Sequence, residues 1–410
     1  MLPLHVGARI LGDWLDDWSA LARLDLAFCN HLQRPEFLEL MRSSTFPSSP
    51  DPDPDRKQGV EFLRWIVSRG VKFKSLSCSL FHPANQKNAL TIMDSLFSNT
   101  GKEVTKIKIT DVPGFWVMPD NDEDEDDVEW TFQYPNFLVN FWVNIVQHCP
   151  KLTRFSAHHT AGFLCVLRNC PKLEAVNVRD CACFDMQAMQ EMLQRTPALK
   201  ELKVCRTKVC DKALMELATA RPLLTKLHCT GCVAVTLHGV LAVVEQCGNL
   251  EELCTDYMGK SVLAKIAECC PNFKSLRTRS EHITDTVLLA LLERCKLEVL
   301  EDIEGNKITG QSLHKLKNMK MVVIFRAVAM NDADVQIMAE HNPSLRHLEL
   351  RYCPNITKNS FHHLISRCPL IETLHLSNTH QYGIVDTTAE QALAIKVFPK
   401  IGYNMLRFRI

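Results

Sequence analysis

The sequence predicts an α/β fold in which short parallel strands alternate with helices and stack into a solenoid. Three observations support this fold class: a twelve-residue phrase recurs along the chain, a helical pattern follows most copies, and successive copies lie about 25 residues apart. The phrase is clearest at 170–181, where it reads CPKLEAVNVRDC, and at 342–353, where it reads NPSLRHLELRYC. One such unit cannot bury its own apolar side, so the copies must share a core.

The first half of each unit has the alternation of a strand. In the last clear copy, Leu348 and Leu350 point to one side of the backbone. His347, Glu349 and Arg351 point to the other side. This period of two predicts a short strand with one buried and one exposed face.

The second half of each unit has the pattern of a helix. Examples are VCDKALMELATARP (209–222), ITDTVLLALLERC (283–295) and ITKNSFHHLISRCP (356–369). An Asp, Thr or Asn stands where a helix N-cap belongs, and apolar residues then recur at helical spacing. A Cys-Pro or similar pair ends the pattern, after which the next strand begins.

This strand-turn-helix unit resembles the cysteine-containing subtype of the leucine-rich repeat, whose motif reads roughly L-x-x-L-x-L-x-x-C-x-x-I-T-D. The segments NITKNS, HITDTV and KITGQS are similar to its second half, and the resemblance covers about residues 137–380. It implies a right-handed horseshoe, with parallel strands on the concave face and helices on the convex face.

The repeat also accounts for many of the 18 cysteines. We expect reduced thiols that pack as small buried residues. Three of them follow the strand: Cys181, Cys232 and Cys353. Six stand at the end of a helix: Cys149, Cys170, Cys247, Cys270, Cys295 and Cys368.

The N-terminal segment 1–42 does not fit the repeat and predicts three short helices, the last opened by Pro35. It resembles a degenerate F-box, whose pattern is roughly L-P-x-x-V-x-x-x-I-L followed by a Leu-rich helix. The matching positions are Leu2, Pro3, Val6, Ile10, Leu11, Leu24, Phe28 and Cys29. An alternative is a helical cap that seals the first repeat, because solenoids need capped ends.

The remaining segments complete the domain organisation. Residues 43–59 form a Pro/Ser/Asp linker, and 60–136 form irregular early repeats with an acidic loop at 120–129. The main repeats occupy 137–380, and 381–410 form a C-terminal cap.

Composition narrows the classes of function. The 47 basic and 47 acidic residues cancel, which argues against a general attraction to nucleic acid or to anionic membranes. With no visible signal peptide and no long apolar run, we expect an intracellular protein, cytoplasmic or nuclear or both. We expect a monomer within a larger complex.

The sequence shows no signature of an enzyme or of a cofactor site. It contains no Gly-rich phosphate loop, nucleophile elbow or paired-carboxylate motif. Cys229 and Cys232 have the spacing of half a zinc site, but no second pair lies at a suitable distance. We therefore predict no metal, and we expect both thiols to be structural.

The exposed strand positions supply the candidate binding residues, because solenoids usually bind partners on the concave face. Basic side chains outnumber acidic ones at these exposed strand positions, which indicates an acidic or phosphorylated protein partner. The alternative is a solvated polar face without a dedicated ligand. The basic candidates are Arg154, His158, Arg179, Lys203, Lys226, His228, Arg277, Arg279, His347 and Arg351.

The resemblance to F-box proteins with leucine-rich repeats implies a non-catalytic role in a ubiquitin ligase. Such proteins hold a Skp-type adaptor of a cullin–RING ligase through the box and a substrate through the repeats. The implied adaptor contacts are Leu2, Pro3, Val6, Ile10 and Leu11. One alternative is a repeat scaffold without a ligase link. A regulator of a small GTPase is less favoured, because the repeats of such horseshoes are longer and lack the Cys and Ile-Thr-Asp signature.

Overall fold

The computed structural model describes residues 18–27, 34–48, 64–79, 95–110, 115–117, 131–133, 137–158, 162–278 and 282–377. The predicted adaptor contacts at 2–11, the acidic loop 120–129, Arg279 and the cap 381–410 lie outside these described residues. The chain divides into two compact units, Met1–Val209 and Cys210–Ile410.

In the part of the first unit that the structure describes, an N-terminal helical part precedes six parallel strands. The sheet order is β1 (Thr45–Ser48), β2 (Lys72–Ser79), β3 (Lys106–Thr110), β6 (Arg154–Ala157), β7 (Ala175–Asn177) and β8 (Glu201–Lys203). A separate antiparallel pair is formed by β4 (Phe115–Val117) and β5 (Thr131–Gln133). The helices are α1 (Trp18–Ala27), α2 (Arg34–Ser43), α3 (Phe137–His148), α4 (Leu164–Asn169) and α5 (Met186–Arg195), and residues 64–69 and 95–100 are also helical.

A ladder of apolar side chains forms the core of this unit. One residue from each of five neighbouring strands stands in register and is buried: Leu76, Ile107, Phe155, Val176 and Leu202. Aromatic rings continue the core beneath the helices, since Trp142 packs edge-on against Phe155 at 6.0 Å between ring centroids. The segment 60–136, predicted to hold early repeats, contains strands β2 and β3 among its described residues.

The predicted linker 43–59 differs from the structure at its start. Residues 45–48 form β1, which pairs with β2 in parallel. Phe46 is buried, and its ring lies 6.5 Å from that of Phe73. Because Phe46 packs in the core, the first part of the polar segment forms a strand. This strand lies at the edge of the sheet, where a proline such as Pro47 is tolerated.

Within its described residues, 210–278 and 282–377, the second unit contains seven parallel strands in chain order. They are β9 (Lys226–His228), β10 (Glu252–Cys254), β11 (Ser275–Arg277), β12 (Val299–Glu304), β13 (Met321–Phe325), β14 (His347–Arg351) and β15 (Thr373–Ser377). Its helices are α6 (Asp211–Ala220), α7 (Leu237–Gln246), α8 (Lys260–Cys269), α9 (Asp285–Arg294), α10 (Gly310–Leu313), α11 (Asp332–His341) and α12 (Lys358–Arg367).

The core of the second unit is an unbroken ladder of the same kind. Its members are buried and paired strand to strand: Leu227, Leu253, Leu276, Leu300, Val322, Leu348 and Leu374. Each strand hides its apolar face against the neighbouring repeats, which is the solution expected for a unit too thin to fold alone. The predicted leucine-rich-repeat architecture is confirmed.

The Thr-Asp pair at the start of α9 joins two repeats through hydrogen bonds of the aspartate. Thr284 caps α9, because its hydroxyl oxygen accepts from the backbone N–H of Val287. Asp285 therefore stands inside the helix, where its carboxylate accepts from the backbone N–H of Thr309 at 3.0 Å and from the Thr309 hydroxyl at 2.6 Å. The aspartate thus satisfies the cap of the following repeat, a role that the N-cap pattern alone did not predict.

We call these contacts aspartate rungs. The described residues contain three of them, formed by the pairs Asp211–Thr236, Asp285–Thr309 and Asp332–Thr357. Burial alone would raise the pKa of Asp285, but hydrogen bonds from Ser312 and Thr309 outweigh it and lower the pKa. The pKa of Asp332 is lowered in the same way by Ser360 and Thr357. A lowered pKa means that folding favours the charged carboxylate.

The cysteines at the helix ends confirm their predicted structural role. The thiol of Cys247 donates to the carbonyl of Arg221 at 3.6 Å, and that of Cys368 donates to Asn342 at 3.5 Å. Burial raises the pKa of Cys270 to about 12 and that of Cys368 to about 11, so these thiols stay neutral. None of the described helices is long and apolar enough to cross a membrane.

Candidate functional site

Helix α1 is anchored to the helical residues 64–69 by the carboxylate of Asp25. This buried carboxylate accepts from the indole of Trp65 at 2.9 Å and from the guanidinium of Arg69 at 3.2 Å. Arg34 pairs with it at 2.7 Å. Burial would raise the pKa of Asp25, but these hydrogen bonds outweigh it and hold the pKa below its usual value. The cluster fixes α1 against the first repeat.

Next to this anchor, α1 presents an apolar side chain to solvent. Leu26 is 71% exposed, although Leu21 and Asp25 of the same helix are buried. The helix therefore buries one side against the unit and leaves Leu26 available on the other.

The parallel strands of the first unit carry four of the predicted basic residues on their outer face. By outer face we mean the strand side chains that alternate with the buried ladder. Arg154 reaches across Ala175 and binds both carboxylate oxygens of Glu201 at 3.1 and 3.2 Å. His158 lies 3.1 Å from the Ser156 hydroxyl and from the Asn177 amide.

Two further candidates of the first unit lie on the same face. Arg179 is half-buried, with its Nη2 4.0 Å from the Cys205 sulfur. Lys203 is half-buried in β8, one strand position from the buried Leu202. The register predicted for these side chains is therefore correct, and whether they bind a partner stays a prediction.

In the second unit, Glu252 organises the outer face. Its carboxylate lies 2.9 Å from His228 Nε2, 3.5 Å from Arg277 Nε and 4.0 Å from Lys226 Nζ. Arg277 also binds Glu301 at 3.0 Å, so it bridges two carboxylates on neighbouring strands. Three predicted basic residues are thus already paired within the sheet.

The last predicted candidates lie on β14. Arg351 is paired with Glu349, and its guanidinium carbon lies 5.3 Å from the centre of the Phe325 ring. His347 Nδ1 lies 3.1 Å from the Thr373 hydroxyl. The outer face is therefore a network of alternating charges, with a smaller basic surplus than the sequence indicated.

A groove opens in the second unit beside the outer face. It has a volume of about 1260 Å³ and lies along the loops that follow β10 and β11, at the start of α8. Tyr257 and Leu237 contribute exposed apolar surface to its walls, and Lys260, Arg277 and Glu301 contribute charge. This groove joins the polar strand face to an apolar loop surface.

No metal centre is formed by the described residues. Among them, no three His, Cys, Asp or Glu side chains are placed to hold an ion. Cys229 and Cys232, the candidate half-site, are both buried as free thiols.

Comparisons with known proteins agree with the repeat architecture. No known protein-family profile matches the chain. It is 26% identical over 153 residues to F-box/LRR-repeat protein 4 of Bos taurus, which covers 35% of this chain and 24% of the relative. It is 25% identical over 182 residues to putative F-box/LRR-repeat protein 22 of Arabidopsis thaliana, which covers 42% of this chain and 58% of the relative. The chain therefore spans less than two thirds of either relative.

A solved structure shares the fold. The crystal structure of the Rad7 and Elc1 complex of yeast matches with a TM-score of 0.50 and 13% identity over 96% of both chains. The chain has the leucine-rich-repeat fold and is similar at low identity to F-box/LRR-repeat proteins. The low identity means that the structural match shows the fold alone.

Sequence reasoning missed three features of this leucine-rich-repeat protein. Glu252 stands in LEELC where Glu201 stands in LKELK, so the repeat register was sufficient to place it on the outer face. The Asp25 anchor joins residues 40 and 44 positions apart, which no local pattern reveals. The groove is lined by residues between Thr230 and Asp302 that belong to several repeats, so no local pattern reveals it.

Proposed function

We propose that the chain is the substrate-recognition subunit of an SCF-type cullin–RING ubiquitin ligase. Segment 1–42 would bind a Skp-type adaptor, and the repeats would bind a protein substrate. The observation that carries this proposal is the similarity to F-box/LRR-repeat proteins, which agrees with the repeats of both units. The structural neighbour Rad7 was solved in complex with Elc1, so a protein of this fold is known in a complex with another protein.

The proposed mechanism is proximity. The chain would perform no bond chemistry itself, but would raise the effective concentration of a substrate near a charged ubiquitin-conjugating enzyme. Proximity requires that the adaptor-binding part be held firmly to the substrate-binding part. The Asp25 cluster supports this requirement, because it fixes α1 to the first repeat while Leu26 stays exposed.

The substrate surfaces that we propose are the outer faces of the strands in each of the two units, each considered by itself. They present the basic residues predicted from the sequence and described above, together with their carboxylate partners. A partner that offers its own carboxylates can exchange with these internal pairs, since half-exposed ion pairs contribute little to stability.

The adaptor contact can be tested with purified proteins. Full-length chain should form a complex with a Skp-type adaptor during size-exclusion chromatography. The double variant Leu2→Ala/Pro3→Ala should lose the complex and keep its circular dichroism spectrum, because the changed side chains belong to the F-box-like motif. Leu370→Ala is a matched control, since this exposed residue lies in the second unit.

The alternative is a repeat scaffold without a ligase link. The Asp25 cluster is also what a terminal cap needs, because it seals the first repeat with a helix. A wild-type chain that never binds the adaptor would favour the scaffold. In that case the double variant would change neither binding nor fold.

A further inference from the structure

The parallel strands of the two units differ in charge. Among the described residues, those of the first unit contain a single acidic residue, Glu201, and six basic ones: Lys72, Lys74, Lys106, Lys108, Arg154 and Lys203. Those of the second unit contain three basic residues, Lys226, Arg277 and Arg351, and five acidic ones, Glu252, Glu301, Asp302, Glu304 and Glu349. The basic surplus of the described strands therefore belongs to the first unit, where it favours an anionic partner.

Most of this positive charge is not used by the fold. Lys106 and Lys108 are exposed on β3, and Lys203 is half-buried on β8. None of these three lysines has an ion pair within the described part of the chain. Arg154 is the exception, because the carboxylate of Glu201 binds its guanidinium at 3.1 and 3.2 Å. The outer face of the first unit thus carries a positive potential that its own strands do not cancel.

Arg179 adds a further cation directly after β7. Its Nη2 lies 4.0 Å from the Cys205 sulfur, and its buried Nε has no hydrogen-bond partner among the described residues. The carboxylate of the next residue, Asp180, is bound by Arg206. A guanidinium presents a planar fork of donors that matches the oxygens of a carboxylate or phosphate. Arg179 therefore has donor capacity left for an anion.

The cations are spread across neighbouring strands. The pairing of β3, β6, β7 and β8 places Lys108, Ser156, Asn177 and Lys203 in one row. Neighbouring strands lie about 4.8 Å apart, so this row spans about 14 Å. An extended chain advances about 3.3 Å per residue, so about five residues cross it. Such spacing suits several carboxylates along one segment better than a single phosphate, which needs its cations at one point.

We propose that the outer face of the first unit binds an acidic segment of a partner protein. The segment crosses β3, β6, β7 and β8. Its Asp or Glu side chains lie beside Lys106 and Lys108 at one end and beside Arg179 and Lys203 at the other. Charge complementarity supports this occupant, and these four cations have no ion pair in the described chain that must first be broken. Insofar as the partner is the ligase substrate, the inference rests on the proposed function.

The test begins with random twelve-residue peptides displayed on phage and selected on the full-length chain. The enriched peptides should carry several Asp or Glu residues within about five positions, which is the length that crosses the row. The best peptide is synthesised with a fluorescein label, beside a form in which Asn and Gln replace its acidic residues. Fluorescence anisotropy should show at least about tenfold weaker binding of the amide form. Enriched peptides without acidic residues, or equal binding of the two forms, would overturn the proposal.

The variant Lys106→Glu/Lys108→Glu tests the position of the site. Both side chains are exposed and unpaired within the described chain, so the variant should keep the wild-type midpoint of thermal unfolding. It should bind the acidic peptide at least about tenfold more weakly, because its carboxylates repel those of the peptide. Unchanged binding by this variant would contradict the assignment.

The matched control is Lys102→Glu/Lys172→Glu. It makes the same change of net charge at two exposed positions that precede β3 and β7 and do not belong to the strands. Binding is measured at 0.15 M salt, where exposed charges farther than about 8 Å apart are largely screened. The control should therefore bind the acidic peptide as the wild type does. A loss as large as that of Lys106→Glu/Lys108→Glu would reduce the effect to net charge and remove the evidence for a site.

The same assay separates three other occupants, each of which would replace the proposed one. Phosphorylated segments are indicated if a phosphoserine form of the peptide binds more than about tenfold more tightly than the acidic form. Nucleic acid is indicated if a single-stranded DNA twelve-mer binds more tightly than the peptide. The chain's own loop 120–129, which lies outside the described residues, is indicated if a variant with Asn and Gln in that loop binds the peptide at least about tenfold more tightly.

The adaptor complex is measured on the same variants. Lys106→Glu/Lys108→Glu should retain it, because both residues lie outside the F-box-like segment 1–42. Specific peptide binding by a chain that never binds the adaptor would keep this assignment and remove the ligase role. Adaptor binding without a specific acidic peptide would do the reverse.

Discussion

Two loops of the second unit solve the same structural problem in different ways. At Asp332 the carboxylate binds the backbone N–H of Thr357 at 2.7 Å and the Ser360 hydroxyl at 2.5 Å, and it also binds the Thr357 hydroxyl. At Lys260 the corresponding rung is missing, the preceding cap is a glycine, and a groove opens. The first loop satisfies its own polar groups, whereas the second leaves charge and apolar surface to solvent.

Beneath these loops the core is the same. Leu253 and Leu276 pair below the groove loop as Leu348 and Leu374 pair at the far end, and all four are buried. Each repeat is therefore stabilised mainly by the strand ladder, so the loop can change without loss of the fold. The difference teaches that the strands carry the fold, while departures in the loops mark candidate binding surfaces.

The largest effect should come from the core, and it should not distinguish the two regions. Leu253→Ala and Leu348→Ala each remove a fully buried side chain and leave a cavity, so each should lower the free energy of unfolding by about 2–5 kcal/mol. Urea denaturation monitored by circular dichroism measures both. A much smaller loss for Leu253→Ala would mean that the core under the groove is less well packed. The two regions would then differ in core packing as well as in the contacts of their loops.

Much of the fold could be predicted because its signals are local. The alternation around Leu348 and Leu350 predicted a strand, and the cysteines at six helix ends predicted buried positions. The aspartate rungs could not be predicted in this way. Asp332 and Thr357 are 25 residues apart, and their contact depends on how two helices stack.

The candidate site was less predictable than the fold. The register placed Arg154 and Arg277 correctly on the outer face, but it could not show that each is held by a carboxylate on another strand. The groove was missed because residues spread between Thr230 and Asp302 line it, and no local pattern reports how the loops of successive repeats lie beside one another.

The second effect should separate the two regions. Asp332→Ala removes the acceptor of three hydrogen bonds and should lower the free energy of unfolding by about 2–3 kcal/mol, since bonds to a charged group are stronger than neutral ones. The measurement is again urea denaturation at pH 7. A loss below about 0.5 kcal/mol would show that the rungs are incidental, and the contrast with the groove loop would lose its meaning.

The same rung should depend on pH in a defined direction. Burial raises the pKa of Asp332, but the bonds from Ser360 and Thr357 outweigh it, so its folded pKa lies below the unfolded value of about 3.9. Its stabilisation is therefore complete above that unfolded pKa and is lost as pH falls through the folded pKa. The stability difference between wild type and Asp332→Asn should be constant from pH 7 to pH 5 and shrink below pH 4. A difference that persists at the lowest pH would assign the effect to shape and not to charge.

The smallest effect should be that of Lys260→Ala. The side chain is exposed and has no partner among the described residues, so its removal should change the free energy of unfolding by less than about 0.5 kcal/mol. Thermal unfolding of the variant beside Asp285→Ala measures the contrast, since Asp285 occupies the equivalent helix start one repeat later. If Lys260→Ala destabilises the chain as much as Asp285→Ala does, Lys260 has a structural role that its exposure does not suggest. Near-zero loss at Lys260 with a clear loss at Asp285 would mean that this position of the repeat stabilises the fold only where its side chain binds the cap of the next repeat.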